Sequence, residues 1–347
     1  SSIVCAAKYL YPDFDIKTFS YLPQSQHINE YFWIKKINNF VKSKSYVAEF
    51  KNYKFQELFS EFVEAQSEPA NSQSFLAEFL LYKSAKEEGM KVMLDGHGAD
   101  EIFCGYDGYP DWRLYSLLKQ GNLVEYFRFS KGWLRWPSRS FGKLTKNIMF
   151  SFLRYFGINP YFFKKIISIS KMQKFFDEEL FFEINDYYSA IIENPFLNKL
   201  FLDTTILNCP PQLRCADNSA MYHSIENRVP FLNEDLFRNI IALPEEYLVS
   251  SNGCTKFILR EAMKGIVPNE VLYRKDKIGY AADNFFEVEV DVEFKNLIKL
   301  KLFDFDFLNQ NELLNLIFTK THHLKLNSLS WRFINVLFWA NYFDLST

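Results

Sequence analysis

Hydrophobic and polar positions in the first third of the chain change repeatedly between a helical and an extended period. The pattern predicts helices over 1–10, 30–41 and 72–88, and strands over 15–21 and from Lys91. One face of the first helix is formed by Ile3, Ala6, Ala7 and Leu10. Gly89 ends the third helix, as glycine commonly does. Helices that alternate with strands are typical of a parallel sheet with crossover helices, so we predict an α/β fold.

From Tyr109 onward the strand signals fade and helical spacing dominates. A short helix is predicted over 256–264, with Gly265 as its stop signal and a proline beyond. A longer helix is predicted over 328–343. Its apolar stripe, which we expect in the core, is formed by Trp331, Ile334, Leu337, Phe338 and Tyr342.

One segment of this helical part has an unusual charge pattern. Every charged side chain from Arg128 to Lys174 is basic, and the basic residues are interleaved with aromatic ones. Such a segment is compatible with an anionic membrane surface or with nucleic acid. A helical insertion with a solvated basic face explains the same pattern, and we favour that interpretation.

The segment from Lys91 to Tyr106 carries the clearest chemical signal. An apolar strand stops at Gly96 and Gly98, which flank His97, and a helix start follows. Such a turn exposes backbone N–H groups that can bind phosphate. Asp100 is placed to hold a metal ion against that phosphate, whereas Glu101 fits an ordinary charge in the first helical turn.

Two further positions carry candidate charges. Lys277 lies in a basic loop with Arg274 and Lys275, where a lysine could stabilise developing negative charge on a phosphate. Arg228 could bind an anion or form the buried half of a pair with Glu226, and we favour the pair. No nucleophile is accompanied by an activating base.

Composition narrows the class of protein. The chain has 347 residues and a net charge of −2, which gives no overall attraction to nucleic acid or acidic lipid. Its five cysteines are scattered, so neither a disulfide framework nor a zinc site is indicated, and a cytoplasmic location is predicted. No apolar run is long enough to span a bilayer. Because the chain starts at Ser1, we expect it to be a fragment of a longer protein.

Three separate stretches, in this order, resemble the synthetase domain of the glutamine-dependent asparagine synthases. The family's glycine loop, Ser-Gly-Glu-Gly-(Ser/Ala)-Asp-Glu-(Leu/Val)-Phe-Gly-Gly-Tyr, is similar to the segment from Asp95 to Tyr106. Its Glu-x-Arg-x-Pro-Phe-Leu-Asp segment is similar to 226–233. Its Lys-x-x-Leu-Arg and Arg-x-x-Lys-x-Gly-Phe segments are similar to 256–260 and 274–280. The resemblance covers nearly the whole chain.

The resemblance implies an ATP-pyrophosphatase fold that lacks its first strand. The implied parts are an α/β nucleotide-binding part over 1–110, a helical insertion over 111–200 and a helical part with substrate-site motifs over 201–345. Aspartate would attack ATP to form β-aspartyl-AMP and pyrophosphate, and ammonia would then displace AMP. Magnesium would neutralise the leaving group. The resemblance leaves the oligomeric state open. Nucleic-acid and membrane partners are not expected.

The resemblance also assigns roles to residues. Ser1 and Ser2 look like the end of the family's pyrophosphate loop, with Gly96 and Gly98 as a second wall, and Ser20 matches a position near adenosine. Asp100 would bind magnesium, and Lys277 and His97 would take part in catalysis. The candidates for the substrate site are Asp217, Glu226 and Arg228.

Departures from the family pattern leave the amide acceptor open. His97 stands where the family has an essential Glu, and Cys104 and Asn233 replace Gly and Asp. An amidotransferase that acts on a surface saccharide or a peptide is therefore an alternative, and a nucleotide-binding protein without turnover is another. The glutaminase domain is expected upstream of Ser1, and we expect residues 1–347 alone to be inactive.

Overall fold

The computed structural model describes residues 1–23, 30–136, 139–160, 172–176, 191–274, 286–320 and 323–345. The helices of the first part are α1 (Ser2–Leu10), α2 (Tyr31–Val41), α3 (Phe55–Ala65), α4 (Ser74–Glu87), α5 (Ala99–Ile102), α6 (Tyr109–Lys119), α7 (Leu123–Trp133) and α8 (Phe141–Tyr155). The later helices are α9 (Pro195–Leu202), α10 (Cys209–Tyr222), α11 (Glu234–Ile241), α12 (Glu245–Leu248), α13 (Phe257–Ala262), α14 (Asn269–Leu272), α15 (Val292–Phe303), α16 (Gln310–Ile317) and α17 (Ser328–Tyr342).

The strands are β1 (Lys17–Tyr21), β2 (Lys44–Ala48), β3 (Val92–Leu94), β4 (Glu226–Arg228), β5 (Phe286–Glu289), β6 (Phe318–Lys320) and β7 (His323–Leu326). β1 pairs in parallel with β2, from Lys17 opposite Lys44 to Tyr21 opposite Ala48. β3 pairs in parallel with β4, from Val92 opposite Glu226 to Leu94 opposite Arg228. The helical majority with small parallel sheets confirms the predicted α/β class.

The largest hydrophobic core joins the first part of the chain to its end. Phe59 and Phe62 of α3 pack against Trp331 of α17, and the Phe59 and Trp331 rings meet edge to face with centroids 5.5 Å apart. The Trp331 Nε1–H donates to the carbonyl of Ala70 at 2.9 Å, so this fully buried ring leaves no polar atom unsatisfied there. The strand pairs β1–β2 and β3–β4 border a separate small cluster that contains Tyr82 of α4, because Phe19 and Met93 both pack against that cluster.

A second core forms around α6 and the start of α7, where Ile102, Tyr109 and Phe129 are fully buried. Two ion pairs are buried at its edge. Arg113 Nη1 lies 2.7 Å from Glu245 Oε2, and Arg154 Nη1 lies 2.6 Å from Asp111 Oδ2. Buried pairs of this kind tie helices together, since the loss of one partner leaves an uncompensated charge.

Some details differ from the sequence-based expectations. The part over 201–345 also contains an antiparallel sheet in the order β5–β7–β6. Tyr342, predicted in the apolar stripe of the last helix, is 50% exposed, and its hydroxyl donates to Glu64 at 3.2 Å. In α1 the buried side chain is Cys5, whereas Leu10 is exposed, and the Ser1 side chain makes no capping hydrogen bond.

Only part of the basic segment from Arg128 to Lys174 lies within the described residues, mainly in α7 and α8. No helix in the described ranges is long and apolar enough to cross a bilayer. The division into parts at 110 and 200 stays a prediction.

Candidate functional site

The glycine loop begins where two parallel strands end together. The Asp95 N–H continues the ladder beyond β3 by donating to the Arg228 carbonyl at 3.0 Å. Gly98 then adopts a φ of 83°, and a Cβ at this position would collide with the Leu232 side chain. Glycine is therefore required at 98 both by its left-handed backbone and by this close contact. Gly96 is exposed, with open space where a Cβ would stand.

Leu232 belongs to the segment after β4, so this contact brings the second family-like stretch against the first. The sequence predicted both stretches but gave no sign of their contact. It depends on the parallel pairing of β3 with β4, whose central residue is Asn227. The Asn227 side chain donates to Asp95 Oδ2, which fixes the carboxylate at the start of the loop.

His97 lies between two carboxylates from different elements. Its Nδ1 is 2.9 Å from Asp95 Oδ2, and its Nε2 is 3.4 Å from Oε1 of Glu78 on α4. The three side chains are between 12% and 20% exposed. The backbone N–H of His97 also donates to Asp95 Oδ1 at 2.9 Å, so ring and backbone are both held by the same residue.

The charges of this cluster are strongly coupled. Burial alone would lower the pKa of His97, but the carboxylates of Asp95 and Glu78 raise it to about 9. Burial raises the pKa of Glu78 to about 7, against the attraction of His97. Burial also opposes ionisation of Asp95, but the contact with His97 and the hydrogen bond from Asn227 lower its pKa. At neutral pH His97 is therefore a cation next to an ionised Asp95.

Asp100 is the second residue of α5, and its side chain contacts the third family-like stretch. Its Oδ1 is 3.0 Å from Lys256 Nζ, and both side chains are about a quarter exposed, at 26% and 25%. Gly105 makes this pair possible, because a Cβ there would overlap both the Asp100 carboxylate and the Lys256 side chain. Lys256 itself has a φ of 55° at the start of α13, and its N–H donates to the Phe103 carbonyl at 3.0 Å.

The environment of Glu101 contradicts the prediction that this residue is an ordinary charge in the first helical turn. It is only 1% exposed, and its Oε1 accepts hydrogen bonds from the Tyr106 hydroxyl at 2.6 Å and from Gln212 Nε2 at 2.9 Å. Burial and the neighbouring Glu101 carboxylate raise the pKa of Tyr106, which stays protonated and donates. Glu101 thus ties the glycine loop to α10.

The serine candidates lie on separate elements. Ser1 caps α1 by position and Ser2 is its first residue, while Ser20 is half-buried in β1. Burial lowers the pKa of the Ser1 amino group, and the charges of Lys256 and Glu30 also act on it.

In the described residues, the side chains of the three substrate-site candidates make no hydrogen bond or ion pair with the glycine loop, and only the backbone carbonyl of Arg228 contacts it. Arg228 Nε lies 2.8 Å from Glu226 Oε1, which confirms the predicted pair, but both side chains are about 60% exposed, at 62% and 59%. The expectation that the pair is buried was wrong, since alternation along β4 turns Asn227, not its neighbours, toward Asp95. Asp217 is exposed on α10.

Lys277, predicted to be catalytic, lies outside the described residues. Its neighbour in the sequence motif, Arg274, is described. Arg274 Nη1 lies 2.7 Å from Glu30 Oε1, and its guanidinium stands 5.0 Å from the centre of the Trp33 ring. Arg260 donates to the Thr255 and Arg274 carbonyls at 3.0 and 3.1 Å, so it holds the chain between these segments in place.

Sequence reasoning missed Lys256, Asp95 and Glu78 as members of the site. Lys256 opens the third family-like stretch, which was a signal in itself. Glu78 interrupts an otherwise apolar helical segment, and a buried carboxylate there needs a partner. Asp95 directly follows a strand, at the edge where the carboxyl ends of parallel strands meet.

Two cavities lie away from the glycine loop. One of about 440 Å³ is lined by residues that include Arg113, Asn194 and Glu245. Another of about 520 Å³ is lined by residues that include Gln73 and Trp331. Neither is lined by the glycine loop, so the candidate site is defined by its charges and motifs.

Two groups of side chains could hold a cation. Glu78, Asp95 and His97 offer ligand atoms within 4.8 Å of one another, but the imidazolium already supplies the compensating positive charge there. Asp100 is a partly exposed oxygen ligand, one turn beyond the exposed glycine of the loop. Because Mg²⁺ usually takes one or two carboxylates together with phosphate oxygens and water, Asp100 fits this ion better.

A family model described as asparagine synthase matches residues 1–333. The chain belongs to the asparagine synthase family. It is 28% identical, over 320 residues, to asparagine synthetase [glutamine-hydrolyzing] 1 of Bacillus subtilis (strain 168), which covers 86% of this chain and 47% of that protein. It is also 36% identical to human asparagine synthetase [glutamine-hydrolyzing] over 61 residues, which are 17% of this chain and 11% of the human protein. The chain thus spans about half the length of the Bacillus relative, at 47%.

Proposed function

We propose that the protein is an ATP-dependent, AMP-forming amide ligase that converts aspartate to asparagine through β-aspartyl-AMP. The observation that carries this proposal is the Asp100–Lys256 pair, which joins two family-like stretches at the carboxyl end of parallel strands. A carboxylate and a lysine at such an edge are suited to a nucleotide phosphate chain and its metal ion.

We further infer the ATP-pyrophosphatase type of α/β fold, with a nucleotide-binding part over 1–110. The parallel pairs β1–β2 and β3–β4 support this inference, since nucleotides bind at the carboxyl edge of parallel strands. Ammonia would come from glutamine through a glutaminase domain, since the Bacillus relative is a glutamine-hydrolyzing asparagine synthetase. The unpaired cysteines are in keeping with a cytoplasmic location.

We assign each residue of the site a role in ATP binding or catalysis from its position. Exposed Gly96 lets a phosphate approach the backbone N–H groups of the loop, and Ser1 and Ser2 would bind pyrophosphate from the start of α1. Asp100 would hold Mg²⁺, whose positive charge supports the departure of pyrophosphate. Lys256, and Lys277 by its family-like motif, would stabilise negative charge on the phosphates. Ser20 would lie near adenosine.

The reaction is tested with the full-length protein. Aspartate, ATP, Mg²⁺ and glutamine together should yield AMP, pyrophosphate and asparagine in equal amounts. ADP and phosphate as products would contradict the mechanism, and AMP release that does not depend on aspartate would contradict the substrate.

A pair of variants tests the site itself. Lys256→Met should lower aspartate-dependent AMP release about 100-fold or more, because one preorganised charge at a reacting phosphate is removed. Lys264→Met is the matched control, since Lys264 is an exposed lysine whose ion pair in the described ranges is with Glu261 of the same segment. Equal activity of the two variants would show that Lys256 takes no part in the reaction.

His97 favours a second candidate, an amidotransferase whose acceptor is a surface saccharide or a peptide. The family has a Glu at this position, and here it is a cation held by Asp95 and Glu78. His97→Glu, made together with Asp95→Ser so that the loop matches the family pattern without a third carboxylate, distinguishes the two candidates. A large gain in aspartate-dependent AMP release would favour asparagine formation, whereas no gain, with ATP cleavage intact, would favour another acceptor.

A further inference from the structure

The outward face of α7 is apolar where a helix of a globular protein is usually polar. Its inner face is closed by Tyr126, Phe129 and Trp133, which are buried. On the solvent side Val124 is 72% exposed and Phe127 is 68% exposed, with Leu123 beside them. One face of α7 therefore packs against the core, while a second apolar face has no packing partner in the described residues.

α8 repeats this arrangement. Its inner face packs through Leu144 and Phe150, which are buried. Its exposed apolar residues follow the helical repeat and so share one face; they are Phe141, Met149, Phe152, Tyr155 and, just beyond the helix, Phe156. Single exposed apolar residues are ordinary, but a continuous stripe of them marks an interaction surface.

The two exposed faces adjoin. The ring of Tyr126 in α7 lies 5.7 Å from that of Phe127 and 6.5 Å from that of Phe152 in α8, measured between centroids. The Tyr126 hydroxyl and Ser151 Oγ are 3.1 Å apart, which fixes the two helices at this point. We call the combined surface the outer aromatic face; it consists of Leu123, Val124, Phe127, Phe141, Met149, Phe152, Tyr155 and Phe156.

Positive charge surrounds this face. From 128 to 160 the chain contains seven basic residues and no acidic one, although its overall net charge is −2. Arg154 and Arg139 are used inside the fold, by Asp111 and by the rings of Trp133 and Trp136. The others are exposed on the same two helices and the turn between them; they are Arg128, which also pairs with Glu125 of α7 at 3.0 Å, Lys131, Arg135, Lys143 and Lys146.

We propose that the outer aromatic face is a peripheral docking surface for an anionic lipid bilayer. Bulky aromatic and aliphatic side chains flanked by lysine and arginine are the composition of helices that lie in the plane of a membrane interface. Phe127 and Phe156 would enter the headgroup boundary while the lysine ammonium groups reach lipid phosphates. Aliphatic side chains such as Val124 and Met149 gain from lipid contact, whereas binding of nucleic acid would make no use of them.

The inference does not depend on the proposed function, because none of these residues belongs to the candidate site. It implies that the protein works at a membrane surface, with the glycine loop joined to the docking helices through one hydrophobic core. The second core connects the two regions, since Ala99 and Cys104 pack in one cluster with Tyr126 and Phe129.

Co-sedimentation of the full-length protein with vesicles tests the proposal. We expect binding to vesicles of equal parts phosphatidylglycerol and phosphatidylcholine, and little binding to pure phosphatidylcholine. Lys131→Ala and Lys143→Ala should each weaken binding about fivefold. Phe127→Ser combined with Phe156→Ser should weaken it about tenfold or more, without loss of helical circular dichroism, since both rings are exposed.

Matched controls and contrary outcomes are available. Phe14→Ser removes a ring that is 65% exposed outside α7 and α8, and Lys54→Ala removes an exposed lysine outside them. Both should bind vesicles like the unmodified protein. Absence of vesicle binding, or binding that the controls weaken as much as the face variants, would overturn the proposal. So would a double variant that changes only self-association or nucleic-acid binding.

Discussion

His97 should keep its proton well above neutral pH, because two carboxylates lie close to its ring nitrogens. Asp95 Oδ2 is 2.9 Å from Nδ1 and Glu78 Oε1 is 3.4 Å from Nε2. Against the opposing effect of burial, these carboxylates raise the pKa of His97 from 6.5 to about 9. At roughly 1.36 kcal/mol for each pH unit, the difference corresponds to about 3 kcal/mol of interaction with the charged imidazole.

The perturbation replaces each carboxylate by its amide. Asp95→Asn should lower the pKa of His97 more than Glu78→Gln does, because Asp95 is closer and contacts the ring directly. The assay is an NMR titration of the imidazole Cε1–H signals. His223 is an internal control, because burial lowers its pKa to about 4 and its ring packs against Phe79 and Tyr222. Titration of His97 near 6.5 in the unmodified protein would refute the reasoning.

The same cluster makes stability depend on pH. The folded pKa of His97, about 9, lies above its ordinary 6.5, so its contribution is complete below pH 6.5 and is lost as pH rises through 9. Glu78, with a pKa raised from 4.5 to about 7, gives a loss of the same sign at lower pH. Between pH 6.5 and 9 the unfolding free energy should fall by roughly 3 kcal/mol more than in the double variant Glu78→Gln, His97→Gln. Urea unfolding at both pH values measures this difference, and equal falls would contradict it.

Three other variants test the packing that supports the site, each by urea unfolding. Gly98→Ala should cost about 1–2 kcal/mol for the left-handed backbone, and more if Leu232 cannot move, so Leu232→Ala should partly rescue it. Arg154→Met should cost about 3–5 kcal/mol, since it leaves the Asp111 carboxylate buried without its partner, and a loss below 1 kcal/mol would contradict a buried pair. Trp331→Phe should cost about 1–3 kcal/mol through a lost hydrogen bond and lost volume.

Periodicity predicted those elements whose side chains alternate between core and solvent. α4 and α17 were found because their apolar residues repeat with the helical period over many turns. β2 and β4 were missed for a physical reason. β4 is three residues long, Glu226–Arg228, and two of its side chains are exposed charges, so its pairing with β3 leaves no apolar pattern in the sequence. The antiparallel sheet of β5, β6 and β7 is similarly made of short strands.

The site was predictable as a set of motifs but not as a set of contacts. Asp100 was identified from its place after the glycines. Its partner Lys256 was not, because the pair depends on a left-handed backbone at Lys256 and on the missing side chain of Gly105. The burial of Glu101 was not predicted either, because it depends on contacts that the sequence does not show. Its carboxylate accepts hydrogen bonds from Tyr106 and from Gln212, and Gln212 is distant in sequence.

The main departure from the family pattern, His97 in place of Glu, is accompanied by a second change, Asp95, that compensates its charge. The family loop begins Ser-Gly-Glu, whereas this chain has Asp95, Gly96 and His97. The loop therefore still contains one carboxylate, two residues earlier, and that carboxylate contacts the new imidazole at 2.9 Å. An imidazolium without Asp95 would face only Glu78, and an Asp95 without His97 would lie close to the buried Glu78 as a like charge. Each of the two residues thus compensates the charge of the other. It follows that His97→Glu alone would bring three carboxylates together, so the double variant Asp95→Ser, His97→Glu is the fair reconstruction of the family site.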